Sequence, residues 1–548
     1  MKQYLPTKNN IHLISLILLG FIGYQFSVAT LLFFIGIGIS KLSCWAILIS
    51  YPLISGWYLY KNYNAITTKK ELAILYCWSS LITIFSLLVS SYFIDYSYDG
   101  QSYHGEAIIQ LASGWNPTKN YLLGDDIITL VINHFAKASW VNGAFFYKLT
   151  TVFECAKAAN LILIFASFFI AYPFFNKWFS KITAIILACL IAFNPICINM
   201  YLSNMLDGQI ASLMFIFFVL LYNYLEENKK EVLPFIYLLI LYIINLKFTI
   251  VGYFGIFVVA ISLYFLIKKQ FAKKFIQLTH ITIACGLATV VFGYNTYTKN
   301  TITHQHPFYP FKGTNAMTNS IVEAMDYKTG NKFINFVKSN FAASTFSECF
   351  TKPIKYKNPF TFSKYELERF AFAGVMIGGF GVWFSGAILI SLGIFIWVAI
   401  KKRKEIFKND FIFYFLIAVF LATILINPLG YVARYIPQYY LLPFLALLLF
   451  KKYYSSTIVI VILIFVLTIN SILICGYTYY NFVATKTIKT QMKSIQITGK
   501  TVGIDFRQSK SKSVLFDEYK IKYHPLILDK NIIPDTLFRS EVVYKIDK

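Results

Sequence analysis

Apolar runs of about twenty residues recur along nearly the whole chain, separated by short polar stretches in which lysines gather. A hydrocarbon core about 30 Å thick takes roughly twenty residues of helix to cross. Backbone polar groups inside it must be satisfied within the helix itself. The runs therefore predict an all-α polytopic membrane protein. Composition agrees: 57% of the 548 residues are hydrophobic and 14% are charged, where a soluble domain carries about 25% charged residues. A soluble enzyme, a disordered chain and a fibrous repeat are excluded, and no internal repeat is visible.

The candidate spans are 11–37, 42–60, 71–93, 157–176, 180–200, 208–226, 233–246, 249–267, 275–295, 372–400, 410–428, 435–450 and 456–478, thirteen in all. The run 233–246 is short and reads as a broken or tilted helix. The first run is too long, and too smoothly followed by a second, to be a cleaved leader. The glycines at 374, 378, 379 and 381 fall within one span and suggest close helix packing.

The net charge of +25 raises the question of nucleic acid. Only five basic residues are arginines, however, and the lysines mostly sit between apolar runs. That is how membrane orientation is encoded, so no nucleic-acid partner is expected. Lys2 with Lys8, Lys61 with Lys69 and Lys70, Lys177 with Lys181, and Lys229 with Lys230 all fall on one side. So do Lys268, Lys269, Lys273 and Lys274, then Lys401, Lys402, Arg403, Lys404 and Lys408, and finally Lys451 with Lys452. With that side cytoplasmic, the N-terminus is cytoplasmic and the C-terminus extracytoplasmic. Lys41 is the exception.

This topology divides the chain into two helices within 1–70, a transmembrane core over 71–478 and an extracytoplasmic tail over 479–548. The core sends out two large loops, 94–156 and 296–371. Within the first loop, 107–113 and 127–135 are apolar enough to be short helices at the interface. In the tail, interleaved polar and apolar residues suggest a small α/β or β unit. The eight cysteines show no CxxC or metal spacing.

Ionisable groups near a bilayer are expensive and mark function. The densest set is Asp95, Asp99, His104 and Glu106, where the third span emerges. If the segment is helical, Asp95 and Asp99 lie one turn apart, with Asp95 reading as a solvated boundary residue. Asp207-Gly208-Gln209 repeats the Asp99-Gly100-Gln101 tripeptide beside another outward helix end. A carboxylate there can act as a general base toward a hydroxyl. The pair Asp99 and Asp207 can also ligate a divalent cation, magnesium or manganese. Helix capping is the competing explanation for both. Lys247 and Arg434 are basic residues at outer boundaries, against the trend, and so call for an anionic partner such as a lipid phosphate. His306 and Lys312 flank the aromatic–proline run Pro307-Phe308-Tyr309-Pro310-Phe311 in the long loop.

Tyr98-Asp99-Gly100-Gln101-Ser102-Tyr103-His104 resembles the Asp-x-x-x-Tyr-His pattern of bacterial GT-C glycosyltransferases, polytopic enzymes that use polyprenyl-phosphate sugars. Ile108–Gly114 resembles their interfacial helix. His306-Pro307-Phe308-Tyr309-Pro310 is similar to an Asn-Pro-x-Tyr-Pro element, with His in place of Asn. Arg434-Tyr435 followed by Leu441-Leu442-Pro443 resembles their late Arg-Tyr…Leu-Leu-Pro helix start. The resemblance runs from about residue 70 to 450, making the first two helices additions and leaving the tail without a match. It implies Asp99 as catalytic acid or base, with Asp207, His104 and Glu106 beside it. Arg434, with Lys247, His306 and Lys312, would face the donor phosphate. The implied partners are a lipid-linked sugar donor, membrane lipids and a glycan, lipid or protein acceptor. The implied place is the bacterial cytoplasmic membrane, with a role in building envelope glycans. A polysaccharide polymerase or ligase, and a lipid or solute transporter, are the alternatives.

Overall fold

A helix that is apolar around its whole circumference needs neighbours on every side. Ile11–Phe34 is such a helix, and most of its residues are buried. It packs against Ala158–Phe175 and Leu233–Ile244, with Lys69–Tyr92 and Ala138–Thr150 beside them. The approach to Leu233–Ile244 is close because Gly23 has no side chain; a Cβ there would stand 2.8 Å from the Leu238 carbonyl oxygen.

The computed structural model describes residues 10–317, 323–406, 411–527 and 534–547. Lys2, Lys8 and Lys408 of the lysine clusters lie outside the described residues. Among those described, eight helices are long and apolar enough to cross a membrane. They are Ile11–Phe34, Lys41–Asn62, Lys69–Tyr92, Phe153–Phe175, Asp207–Leu225, Phe248–Ile267, Phe384–Lys401 and Ile458–Ile497. Phe271–Val290 and Tyr294–His304, bent by 65°, make a ninth if counted as one span. The second and third helices begin at capping boxes, Ser40 with Ser43 and Thr68 with Glu71.

Fewer helices reach full length than the thirteen runs expected, and proline and glycine account for much of the difference. The run 180–200 stops at Ala192, and Asn194 caps a separate turn, Pro195–Ile198; proline has no N–H to continue a helix and disfavours helical geometry in the residue before it. In 435–450, Pro437 opens a 3₁₀ turn, leaving the helix Leu442–Tyr453. Leu233–Ile244 has 12 residues, about 18 Å of helix. The run 372–400 becomes helical only at Phe384. Gly374, Gly378 and Gly381 have φ of +85°, +65° and +104°, a region that glycine enters without steric cost. This segment is an irregular turn, and the helix–helix packing expected of its glycines is corrected.

The last apolar helix continues almost unbroken through Gly476–Ile497, so the expected boundary at 479 falls inside a helix. Ala484, Ile488, Met492 and Ile495 are buried at three- and four-residue intervals, a stripe that keeps the polar extension helical against a partner. The partner is a small C-terminal sheet of β1 (Val502–Asp505), β2 (Tyr523–Pro525), β3 (Asp535–Thr536) and β4 (Val543–Ile546), in the order β2-β1-β4-β3. β1 runs parallel to β2 and antiparallel to β4. Val502, Ile504, Phe516, Leu537 and Val542 share its core with the helix stripe.

Three segments meet at one end of the helices. Tyr96 of the first large loop donates to the Ala371 carbonyl at 2.6 Å, and Asn295 to that of Pro117 at 2.6 Å. Lys510 of the C-terminal unit pairs with Asp126 at 3.2 Å. The two short helices expected in the first loop are Gly105–Ala112 and Ile127–His134, followed by Ala138–Thr150.

Candidate functional site

Beyond Tyr92 the chain leaves its helix and turns back through a wide helical turn, Gly100–His104. Wide turns of this kind are uncommon and often sit at functional sites. Gly100 permits it, because a side chain there would run into the Asp95 carboxylate and the Ser97 hydroxyl.

The turn brings Asp99 to three groups from distant parts of the sequence. Arg434 Nη1 lies 3.5 Å from Asp99 Oδ2 and 3.8 Å from Asp207 Oδ2. Lys247 Nζ lies 2.6 Å from Asp207 Oδ1. Two carboxylates and two cations thus form one half-buried cluster, in which Asp207 is buried and Asp99 is the more open acid. Neither carboxylate caps a helix: Leu206 holds the cap position before Asp207, and the Asp99 side chain makes no capping bond.

Tyr435 completes the cluster, a residue that the sequence motif contained but that was given no role. Lys247 sits 3.7 Å from its ring centroid, and Arg434 Nη2 donates to its hydroxyl at 3.3 Å. Burial opposes the charge on Arg434, and the ionisable Tyr435, Asp207 and Asp99 outweigh it, holding the guanidinium pKa above its ordinary value. Arg434 Nε is buried without a partner among the described residues.

His104 lies behind the acid. Its Nδ1 accepts the Trp140 indole N–H at 2.6 Å. Indole only donates, so the neutral ring carries its proton on Nε2. Burial pushes the imidazole pKa down to about 4, with Lys247 and Arg434 acting in the same direction and Asp99 and Asp207 against it. His104 is therefore a neutral group near pH 7. Gln209 of the second tripeptide donates to Ser139 at 3.2 Å and accepts from Tyr242 at 2.7 Å.

Asp95 is not the solvated boundary residue expected. It is buried, accepting the N–H of Ser97 at 2.8 Å and of Asn204 at 2.7 Å. Burial raises its carboxyl pKa against the pull of Lys157. The chain is not helical from Asp95 to Ser97 and turns helical only at Tyr98, so Asp95 and Asp99 share no helix face. Glu106 is bonded to Gln110 at 2.7 Å, one turn along its own helix, and among the described residues no contact joins it to the cluster. His306 is half-buried and bonds its own segment, its Nδ1 accepting the Phe308 N–H at 3.0 Å, and Lys312 is exposed. Their segment borders the cluster through Phe308 and Phe311, which pack on Phe248, and Phe311, which also packs on Phe135.

The C-terminal unit grips the Asp99 segment, a role the sequence offered no way to see. Lys512 donates to the Asp95 carbonyl at 2.6 Å, and Ser511 to that of Gln101 at 2.6 Å. Gln101 donates to the Arg539 carbonyl at 2.9 Å, and Tyr98 bonds Gln508. A Cβ at Gly105 would stand 2.6 Å from the Ser511 side chain. Lys512 is buried, which lowers its pKa, with Glu154 and Asp95 opposing.

Both carboxylates that a magnesium or manganese ion would need already contact Arg434, and Asp207 also contacts Lys247. The chain's own cations balance them, so this donor set does not suit a divalent ion, and no step below is routed through one. No protein-family model, curated protein or solved structure matches the chain.

Proposed function

We propose that the cluster is the active site of a GT-C-type membrane glycosyltransferase. It would transfer a hexose or pentose from a polyprenyl-phosphate donor to an acceptor on the extracytoplasmic side of the bacterial cytoplasmic membrane. In this reading the shorter apolar helices, including Lys181–Ala192 and Phe411–Ile426, also cross, bringing the total to about thirteen. The N-terminus is then cytoplasmic and the C-terminus extracytoplasmic. The observation that carries the proposal is the convergence of Asp99, Asp207, Lys247 and Arg434 at one end of the helices.

The cluster divides the work by burial. Arg434 and Lys247 receive the donor phosphate, for which a guanidinium has a matching fork of donors. Asp207, buried beneath them, holds them in place. Asp99, the more open carboxylate, accepts the proton of an acceptor hydroxyl as its oxygen bonds the anomeric carbon. The bond from that carbon to the phosphate oxygen breaks, and the electron pair leaves with the lipid phosphate. The leaving group is already a stable anion, so it needs no strong acid, in keeping with a neutral His104.

Transport is the less favoured reading, because transporters hold their ionisable sites near the bilayer midplane, whereas this cluster lies where helices end. A polymerase or ligase reading would lean on arginines, and Arg369 is already engaged by Glu348 and the Tyr365 ring.

The test uses undecaprenyl phosphate as probe and protein in lipid nanodiscs, together with transfer assays from a panel of polyprenyl-phosphate sugars in membranes. Arg434→Ala should lose probe binding. Asp99→Asn should keep binding and lose about 10²–10⁴ in transfer rate. Full transfer by a folded Asp99→Asn protein sinks the assignment.

A further inference from the structure

Helix Lys332–Ser339 in the long loop buries one face and leaves an apolar group on the opposite one. Asn331 caps it, accepting from the N–H groups of Phe333 and Ile334 at 2.9 and 3.3 Å. Asn335, Phe336 and Ser339 form its buried face. Phe336 lies 4.9 Å from the Tyr439 ring, and Tyr439 lies 5.7 Å from both Phe380 and Phe384. The opposite face carries Phe333, Ile334 and Val337, exposed by 48%, 51% and 42%. Single exposed apolar residues need no explanation, but a contiguous group on one helix face marks a contact surface.

The height of the helix says what covers that face. Phe384, reached through Tyr439, is the first residue of the membrane-length helix Phe384–Lys401. Leu389, the first of its strongly exposed apolar side chains, lies about 7.5 Å further along the axis. Lys332–Ser339 thus sits two ring contacts from the start of a membrane-length helix. Lys328, just before the helix, and Lys332 and Lys338 within it are all exposed. Lysine ammonium groups at this level meet the phosphates of anionic lipids.

We infer that Lys332–Ser339 is an in-plane membrane anchor. Phe333, Ile334 and Val337 insert between the outer acyl segments of the leaflet, while Lys328, Lys332 and Lys338 bind anionic headgroups. Through the Phe336–Tyr439 contact the anchor fixes the turn region that also carries Arg434 at headgroup depth. The inference stands independently of any sugar-transfer chemistry.

The test places Phe333→Trp protein in nanodiscs whose acyl chains carry bromine near the headgroup. The added indole is read against the eight native tryptophans. Its emission should be quenched about two-fold more than in unbrominated lipid, as for an interfacial residue. Emission untouched by bromine but quenched by aqueous iodide overturns the inference, placing the face in water. Emission untouched by both also overturns it, because protein then covers the face. Ile334→Trp repeats the measurement should the first variant fail to fold. Quenching should fall when phosphatidylcholine replaces phosphatidylglycerol, and in Lys332→Gln/Lys338→Gln protein. No change in either arm overturns the headgroup contact.

Discussion

Asp207→Ala would strand Lys247 without an anion, while Arg434 keeps Asp99. The geometry sets the size of the effect. Lys247 lies 2.6 Å and Arg434 3.8 Å from the carboxylate, whose side chain is 4% exposed against 25% for Lys247. Exposed pairs contribute about 0–1 kcal/mol, and removing one partner of a fully buried pair costs about 3–5 kcal/mol. With one partner a quarter exposed, Asp207→Ala should cost about 2–3 kcal/mol. Lys247→Met should cost only about 1 kcal/mol, because Arg434 still faces Asp207 and the methionine keeps its packing on Tyr435. In the double variant the lysine is no longer stranded, so the two losses should overlap by about 1–2 kcal/mol. Equilibrium unfolding of the four proteins in mixed micelles, followed by tryptophan emission, gives the cycle. Losses that add to within about 0.5 kcal/mol would refute the reasoning and release Asp207 from its supporting role.

Stability should fall as pH drops from about 6.5 toward 4. The unfolded imidazole of His104 takes up a proton near the ordinary value of 6.5, whereas the folded one, pushed down to about 4 by burial, resists. Full protonation of that one residue costs about 3 kcal/mol, and buried His134, also lowered to about 4, adds to the slope. An acid unfolding curve left unchanged by His104→Gln would count against this account. Ser511→Ala and Lys512→Met should each speed hydrogen exchange across residues 95–105, with helices away from the C-terminal unit unaffected; uniform acceleration would mean global destabilisation instead. Gly100→Ala should cost about 1–3 kcal/mol through overpacking, read as a lowered unfolding midpoint, and a neutral result would mean that the turn at Asp99 is not tightly packed.

The membrane class was legible because lipid imposes one rule on every crossing segment, and the apolar runs obey it without reference to one another. Where that rule stops, reading stopped too. Whether Gly374–Gly381 continues a helix depends on backbone angles that glycine leaves open. Asp99 and Asp207 stood out through their shared tripeptide, and Lys247 and Arg434 through their place against the charge trend. Their meeting could be proposed from sequence, but its geometry could not. Asp95 was misread because its partners, Asn204 and Lys512, come from the far side of the chain. Glu106 looked close to Asp99 along the sequence, but its helix turns it toward Gln110.

The hold of Gln508, Ser511, Lys512 and Arg539 on the Asp99 segment has a consequence for biosynthesis. The bond from Ser511 to Gln101 spans 410 positions, so a nascent chain inserts its helices long before this bond can form. A ribosome that stalled or terminated shortly after residue 500 would release a protein with its helices in place and its acid ungripped. Quality control that monitors insertion alone would pass such a product, and only a check on the segment that carries Ser511 and Lys512 would tell it from a longer one.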